Sequence, residues 1–163
     1  MIVTPERQEP TSALALLLAT DLDGTFLAGN MHMRKQLYRM VDAHPEINLA
    51  WVTGRGLEAI LPLLSDPGLP NPDYVICDVG ATVLRVSTMQ PMQPLQAAIE
   101  SRWPGEQVVA QVMSKFPCLV RQDVPQQRRC SYYCAPEMLT ILRAEIEQEA
   151  ENLGCEVLYS VDR

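Results

Sequence analysis

The chain has 163 residues, 47% hydrophobic and 20% charged, which suits one globular domain or two small lobes sharing a sheet. Thirteen Lys and Arg against twenty Asp and Glu leave a formal net charge of −7, so the clustered cations that a nucleic-acid backbone or an anionic membrane would require are not expected. The five cysteines are odd in number, and three of them sit inside apolar runs where a small buried thiol would fit, so a reduced, cytoplasmic context is the expectation.

The opening MIVTPERQEP puts an acidic, proline-broken stretch where an export signal needs its apolar segment. The longest apolar run, 13–19, is far shorter than the roughly 20 residues of a membrane-spanning helix. Residues 13–20, ALALLLAT, are apolar on both alternating faces and predict a strand buried between two layers of a parallel sheet, running straight into Asp21-Leu22-Asp23-Gly24-Thr25. A helix is predicted over 33–43, with Leu37, Met40 and Val41 on one face and Pro45 ending it. INLAWV, 47–52, predicts a second strand that leads into Thr53-Gly54-Arg55-Gly56. The helix predicted over 57–64 carries Pro62, whose missing N–H and ring clash cost about 3 kcal/mol in a helix interior, so a kink or an early end is expected.

Turn formers fill 65–73, and YVICDV, 74–79, predicts a third strand that breaks at Gly80. Strands alternating with helices predict an α/β fold, a Rossmann-like parallel sheet with its polar residues gathered at the carboxyl ends of the strands. After Thr82–Val86 the texture changes. Pro91, Pro94 and Pro104 separate short helical pieces at 95–102 and 106–116, followed by a strand at 129–134, a long helix at 136–153 between Pro136 and Gly154, and a last strand at 156–161. Residues 1–87 therefore read as a partial Rossmann-like core and 88–163 as a second α/β lobe.

The chemistry gathers at the first two strand ends. Asp21 and Asp23, two positions apart, point to the same side of an extended chain. Two carboxylates so close call for a cation between them, and all-oxygen ligation favours Mg²⁺, with Asp21 and Asp23 as its ligands. Gly24 permits the sharp turn that aims the following amides at an anion. Thr53 offers a hydroxyl to a phosphate oxygen, and Gly54 lets the backbone approach closely.

These residues resemble a known family. ALLLATDLDGTFL is similar to the first motif of the haloacid dehalogenase superfamily and LAWVTGR to its second. Their spacing, followed by PDYVICDVGATV, resembles the branch with an α/β cap inserted after the third strand. Within it, VTGRGLEAI, Gln-Arg-Arg-Cys-Ser-Tyr-Tyr and EVLYSVDR look most like the sucrose-phosphate phosphatases. The resemblance implies a Mg²⁺-dependent phosphomonoester hydrolase acting on a small sugar phosphate, sucrose 6-phosphate or similar, through an aspartyl-phosphate. Asp21 would be the nucleophile, and Asp23 would protonate the leaving oxygen and then deprotonate water while its carbonyl ligates the metal. Thr53 and the Gly54 amide would hold the phosphoryl oxygens. Arg55 would face the substrate, Asp78 and Gly80 would line the site, and Gln127 and Arg129 would reach a sugar hydroxyl or phosphate.

The family pattern continues after the cap with a lysine that pairs with the nucleophile and an acidic segment that completes the magnesium shell. Neither occurs in these 163 residues, whose only lysines are Lys35 and Lys115. A rival expectation follows, a catalytically incomplete module that binds a phosphosugar or docks on a partner. Because the family places strands from beyond the cap alongside the first strand, ALALLLAT would here form an open sheet edge prone to self-association. Of the remaining features, Cys130 and Cys134 lack the further ligands of a metal site, His32 and His44 read as surface residues, and Trp51 reads as core packing. One of Tyr132 and Tyr133 faces the core and the other the cleft.

Overall fold

A computed structural model describes residues 16–160. Strand β1, Leu16–Asp21, leads through a tight turn, 22–26, to helix α1, Met31–Ala43. Asn30 starts that helix by accepting the Met33 N–H at 2.9 Å, the usual service of an Asn cap. Strand β2, Ile47–Val52, helix α2, Leu57–Leu64, strand β3, Tyr74–Cys77, and strand β4, Thr82–Arg85, follow, and a two-residue strand β5, Gln90–Pro91, completes a sheet of order β1-β2-β3-β4-β5. The first three strands are parallel, whereas β4 and β5 are each antiparallel to the strand before. The fold is therefore α/β, with the three strands expected to be parallel found so and two antiparallel strands added at the β3 side.

Helices α1 and α2 cover one face of the sheet, where Leu22, Phe26, Tyr38, Val41, Leu49, Trp51, Ile60, Val75 and Cys77 form a continuous core. Each large apolar side chain buried this way stabilises the fold by about 1.5–3 kcal/mol. Trp51 is wholly buried, in keeping with its reading as packing. The opposite face carries a groove lined by Leu17, Ala50, Tyr74, Ile76, Val83 and Met92. Strand β1 thus departs from the two-layer expectation: it lies at the sheet edge, and Leu16 and Leu17 remain 57% and 66% exposed. Among the described residues, helices shield only one side of it. Pro62 does not end α2 at once; the helix runs two residues further and closes with Ser65 N–H on the Pro62 carbonyl at 3.2 Å.

The later residues form helices α3, Leu95–Glu100, α4, Glu106–Met113, and α5, Pro136–Asn152, with a two-residue antiparallel pair β6, Val120–Arg121, and β7, Tyr132–Tyr133. Val109, Met113, Phe116, Ile146 and Ala150 build a second core between α4 and α5. Helix α5 starts on Pro136 and stops at Gly154, whose φ of +71° lets Cys155 N–H reach the Ala150 carbonyl at 2.9 Å. The strand expected at 129–134 is confined to β7, because Arg128 and Arg129 turn towards the first core. The strand expected at 156–161 is absent from its described part. Tyr159 instead lies along α5, donating to Glu147 Oε1 at 3.1 Å beneath the Arg143 guanidinium; residues 161–163 fall outside the described residues. Among the described residues no helix is long and apolar enough to cross a membrane.

Candidate functional site

The carboxyl ends of β1, β2 and β3 lie side by side. Asp21 is in register with Val52 and Val52 with Ile76, so Asp21, Thr53 and Asp78 leave neighbouring strands at the same edge of the sheet. Leu22 is 0% exposed and lies between Asp21 and Asp23, both exposed, so the buried leucine pins the turn while the two acids face outwards. Gly24 turns the chain with φ +73°, which is costly for a residue with a Cβ. Phe26 then anchors the turn, its ring 4.9 Å from Tyr38 and 6.2 Å from Trp51, and its carbonyl accepts the Tyr38 hydroxyl at 2.8 Å.

The two acids are held differently. One oxygen of Asp21, Oδ2, accepts the Thr25 hydroxyl at 3.2 Å. Asp23 is gripped at two points by Arg55, Nε to Oδ2 at 2.8 Å and Nη2 to Oδ1 at 2.5 Å. Hydrogen bonding from that guanidinium, helped by its charge, holds the Asp23 carboxyl below the usual carboxylate range, and the same bonds push Arg55 up.

The Thr53-Gly54-Arg55 turn is tied on every side. Thr53 N–H donates to the Ile76 carbonyl at 2.9 Å, Asp78 N–H to the Arg55 carbonyl at 2.8 Å, and Arg129 Nη1 to the Gly54 carbonyl at 2.7 Å. The Thr53 hydroxyl accepts the Arg55 N–H at 3.1 Å, which leaves its own proton for another acceptor. Facing this turn, Asp78, Val79 and Gly80 run through three successive left-handed conformations, φ +51°, +53° and +94°. For a β-branched valine this is strained backbone of the kind that persists only when its surroundings enforce it.

The expected site residues therefore fall into two groups. Asp21, Asp23, Thr53, Gly54, Arg55 and Gly80 converge at the strand ends. Asp78 is 1% exposed and faces inwards: Oδ2 accepts the Thr82 hydroxyl at 3.1 Å, and Oδ1 lies 3.4 Å from Arg129 Nε. Gln127 is exposed and accepts from Arg128 Nη1 at 3.3 Å. Sequence reasoning missed Arg128, which donates to Thr82 Oγ1 at 3.2 Å and pairs with Glu100 at 2.6 Å. It also missed Gly56, where an added Cβ would stand 3.1 Å from the Pro125 carbonyl and 3.3 Å from Asp78 Oδ1. The consecutive arginines after Gln127 were the only available signal.

Among the described residues no three His, Cys, Asp or Glu side chains gather as a metal cage. The exposed Asp21 carboxylate offers hard oxygen donors, whereas both Asp23 carboxylate oxygens are engaged by Arg55. The Asp21 donors fit Mg²⁺, which binds through one or two carboxylates and keeps its remaining positions for water and phosphate.

A family model described as sucrose-6F-phosphate phosphohydrolase matches residues 14–163. The chain belongs to this family. A glucosylglycerol-phosphate synthase from Pseudomonas anguilliseptica is 55% identical over 148 residues, 91% of this chain but 19% of that protein. A putative HAD-like hydrolase from Nitrosococcus oceani is 30% identical over 90% of this chain and 43% of its own length. Sucrose-phosphatase 1 of Nicotiana tabacum is 26% identical over 92% and 37%. The chain thus spans less than half of each of these three relatives. The crystal structure of the Synechocystis sp. PCC6803 sucrose-phosphatase with sucrose and phosphate shares the fold at a TM-score of 0.67 and 24% identity, covering 87% of this chain and 57% of that one. Membership of the family and this fold agree with the haloacid dehalogenase-type architecture that the sequence motifs imply.

Proposed function

We propose that this chain carries the nucleophile, the acid/base and the phosphate clamp of a Mg²⁺-dependent phosphatase acting on a phosphorylated glucoside, with residues 1–87 as core and 88–163 as cap. The observation that carries this reading is the pair Asp21 and Asp23, held outwards on either side of buried Leu22 beside the Thr53-Gly54-Arg55 turn. An Asp21 oxygen attacks phosphorus, the bond from phosphorus to the sugar oxygen breaks, and that oxygen takes the proton carried by Asp23. Water then attacks the aspartyl-phosphate and gives a proton to Asp23; phosphate leaves and Asp21 is restored. Thr53 Oγ1 and the Gly54 N–H donate to the phosphoryl oxygens as charge builds. Mg²⁺, held by the Asp21 carboxylate and the Asp23 carbonyl, would neutralise phosphoryl charge. Arg55 must release Asp23 before that carboxylate can hold a proton, and an arriving phosphate dianion competes for the same guanidinium.

The family description names sucrose 6F-phosphate, and the 55% identical relative makes glucosylglycerol phosphate the second substrate to test. The five free cysteines suit a reducing cytoplasm. Phosphate release from both compounds, with and without Mg²⁺, tests the reading: turnover by the chain that disappears in Asp21→Asn supports it. Equal background release from the chain and from Asp21→Asn refutes it. A second reading, a phosphosugar-binding or partner-docking module, is supported by the exposed β1 edge at Leu16 and Leu17. It expects sugar-phosphate binding without turnover, and self-association that Leu17→Lys weakens.

A further inference from the structure

The loop before β7 reaches across to the first core and spends two arginines there. Arg129 Nη1 donates to the Gly54 carbonyl at 2.7 Å, while its Nε faces Asp78 Oδ1 at 3.4 Å. Both of these last atoms are buried and, among the described residues, neither has a hydrogen-bond partner, so the ion pair is what compensates them for lost water. Arg128 extends the contact through Thr82, whose hydroxyl donates to the second Asp78 oxygen at 3.1 Å, and through Glu100. Asp78 N–H in turn holds the Arg55 carbonyl at 2.8 Å. The turn that would clamp phosphate is therefore fastened at Gly54 directly by Arg129, and at Arg55 indirectly through Asp78.

We infer that Arg129 is a positioning residue: it makes the cap part of the phosphate clamp by holding the Gly54 carbonyl and the buried Asp78 carboxylate together, and so fixes the Thr53-Gly54-Arg55 turn and the strained 78–80 turn facing it. This differs from contact with the sugar. Two of the guanidinium nitrogens face core groups, and the side chain is only 18% exposed. A lysine keeps the charge but lacks the planar fork that reaches Gly54 and Asp78 at once. The strain at Val79 has a role in this arrangement. With Arg129 withdrawn, Asp78 Oδ1 loses its facing cation, the carboxylate keeps only the Thr82 hydroxyl and, through it, Arg128 on its other oxygen, and the left-handed turn is freer to relax away from Gly54.

The kinetic consequence rests on the phosphatase reading above, whereas the structural half is read without turnover. The experiment compares the chain with Arg129→Met, Arg129→Lys and the double variant Asp78→Asn/Arg129→Met, which removes both charges and so avoids the unpaired buried carboxylate that the single change leaves. Amide NMR is expected to show shifts at Gly54 and Arg55, and the Asp78 N–H is expected to exchange at least about tenfold faster, with the α1 amides unchanged. With sucrose 6-phosphate and Mg²⁺, kcat is expected to fall about tenfold or more while KM stays within about threefold, and lysine is not expected to rescue it. Unaltered Gly54, Arg55 and Asp78 amides in both the single and the double variant would overturn the inference. So would a raised KM at unchanged kcat, the signature of a sugar contact. If the unsubstituted chain releases no phosphate, the phosphatase reading fails, and the amide measurements still decide whether Arg129 holds the turn.

Discussion

Arg55 clasps Asp23 through two nitrogens, Nε on Oδ2 at 2.8 Å and Nη2 on Oδ1 at 2.5 Å, across a gap of 32 residues in sequence. The side chain that would deliver a proton to the leaving group thus rests ionised in the grip of a residue from the next strand end. Arg55→Met is expected to raise the Asp23 carboxyl midpoint towards the ordinary value near 3.9, as followed by carbon-13 carboxyl shifts. The sign is fixed by linkage. A depressed carboxyl stabilises the fold above its unfolded value and loses that contribution as pH falls through the folded one, so the variant should flatten the acid limb of the stability curve. Because the pair is largely exposed, the loss near neutral pH is expected to be within about 1 kcal/mol.

Tyr38→Phe removes the hydroxyl that donates to the Phe26 carbonyl and keeps the ring. An unpaired buried acceptor costs about 1–3 kcal/mol, and thermal melting should register it. Since that bond anchors the turn bearing Asp21 and Asp23, faster amide exchange over 22–27 should accompany the loss of stability. A melting point and exchange pattern identical to the parent chain would show that the ring alone fixes the turn.

Gly56→Ala is expected to cost about 1–3 kcal/mol although its backbone, φ −72°, accepts any residue. The added methyl would press on the Pro125 carbonyl and on Asp78 Oδ1. Urea titration measures the cost. The diagnostic companion is a change in the Arg129 side-chain NMR signal, because the same methyl lies 3.9 Å from Arg129 Nη2.

Burial, reinforced by the neighbouring Asp78 charge, pushes the Cys77 thiol up to about 12. A thiol whose folded value is raised keeps its stabilising contribution below the unfolded value, near 8.5, and gives it up as pH climbs towards 12. Cys77→Ala should therefore be less alkali-sensitive than the parent chain between those limits. Mass-mapped alkylation at pH 8 should leave Cys77 unmodified until the chain is unfolded.

Much of the site was legible because its signals are local. An apolar strand meeting Asp-x-Asp-Gly-Thr, and a second meeting Thr-Gly-Arg, announce polar residues at strand ends before any contact is known. The limits of α5 were equally readable from Pro136 and Gly154. What escaped was set by tertiary contact. No propensity anticipates Val79 at φ +53°, so the reversal that makes β4 antiparallel was invisible. Asp78 looked like a lining residue until the fold turned it inwards; Arg129 was read as reaching a sugar hydroxyl or phosphate and Arg128 was given no role, because their partners 75 and 46 positions away appear only in the fold. For β1 the two lines of reading diverged: alternation in ALALLLAT reports how apolar each face is and not what covers it, whereas the family resemblance pointed to the open edge that β1 forms.

The reversal at 78–80 divides labour between the two borders of the sheet. Strand β5, the root from which the later helices grow, lies four strands from β1, roughly 19 Å away at ordinary strand spacing. Lengthening or recasting the segment that follows β5, with Arg128 and Arg129 kept, therefore leaves the strand that bears Asp21 untouched, so one border of the sheet is free to vary in a lineage while the Asp21 carboxylate stays where it is on the other.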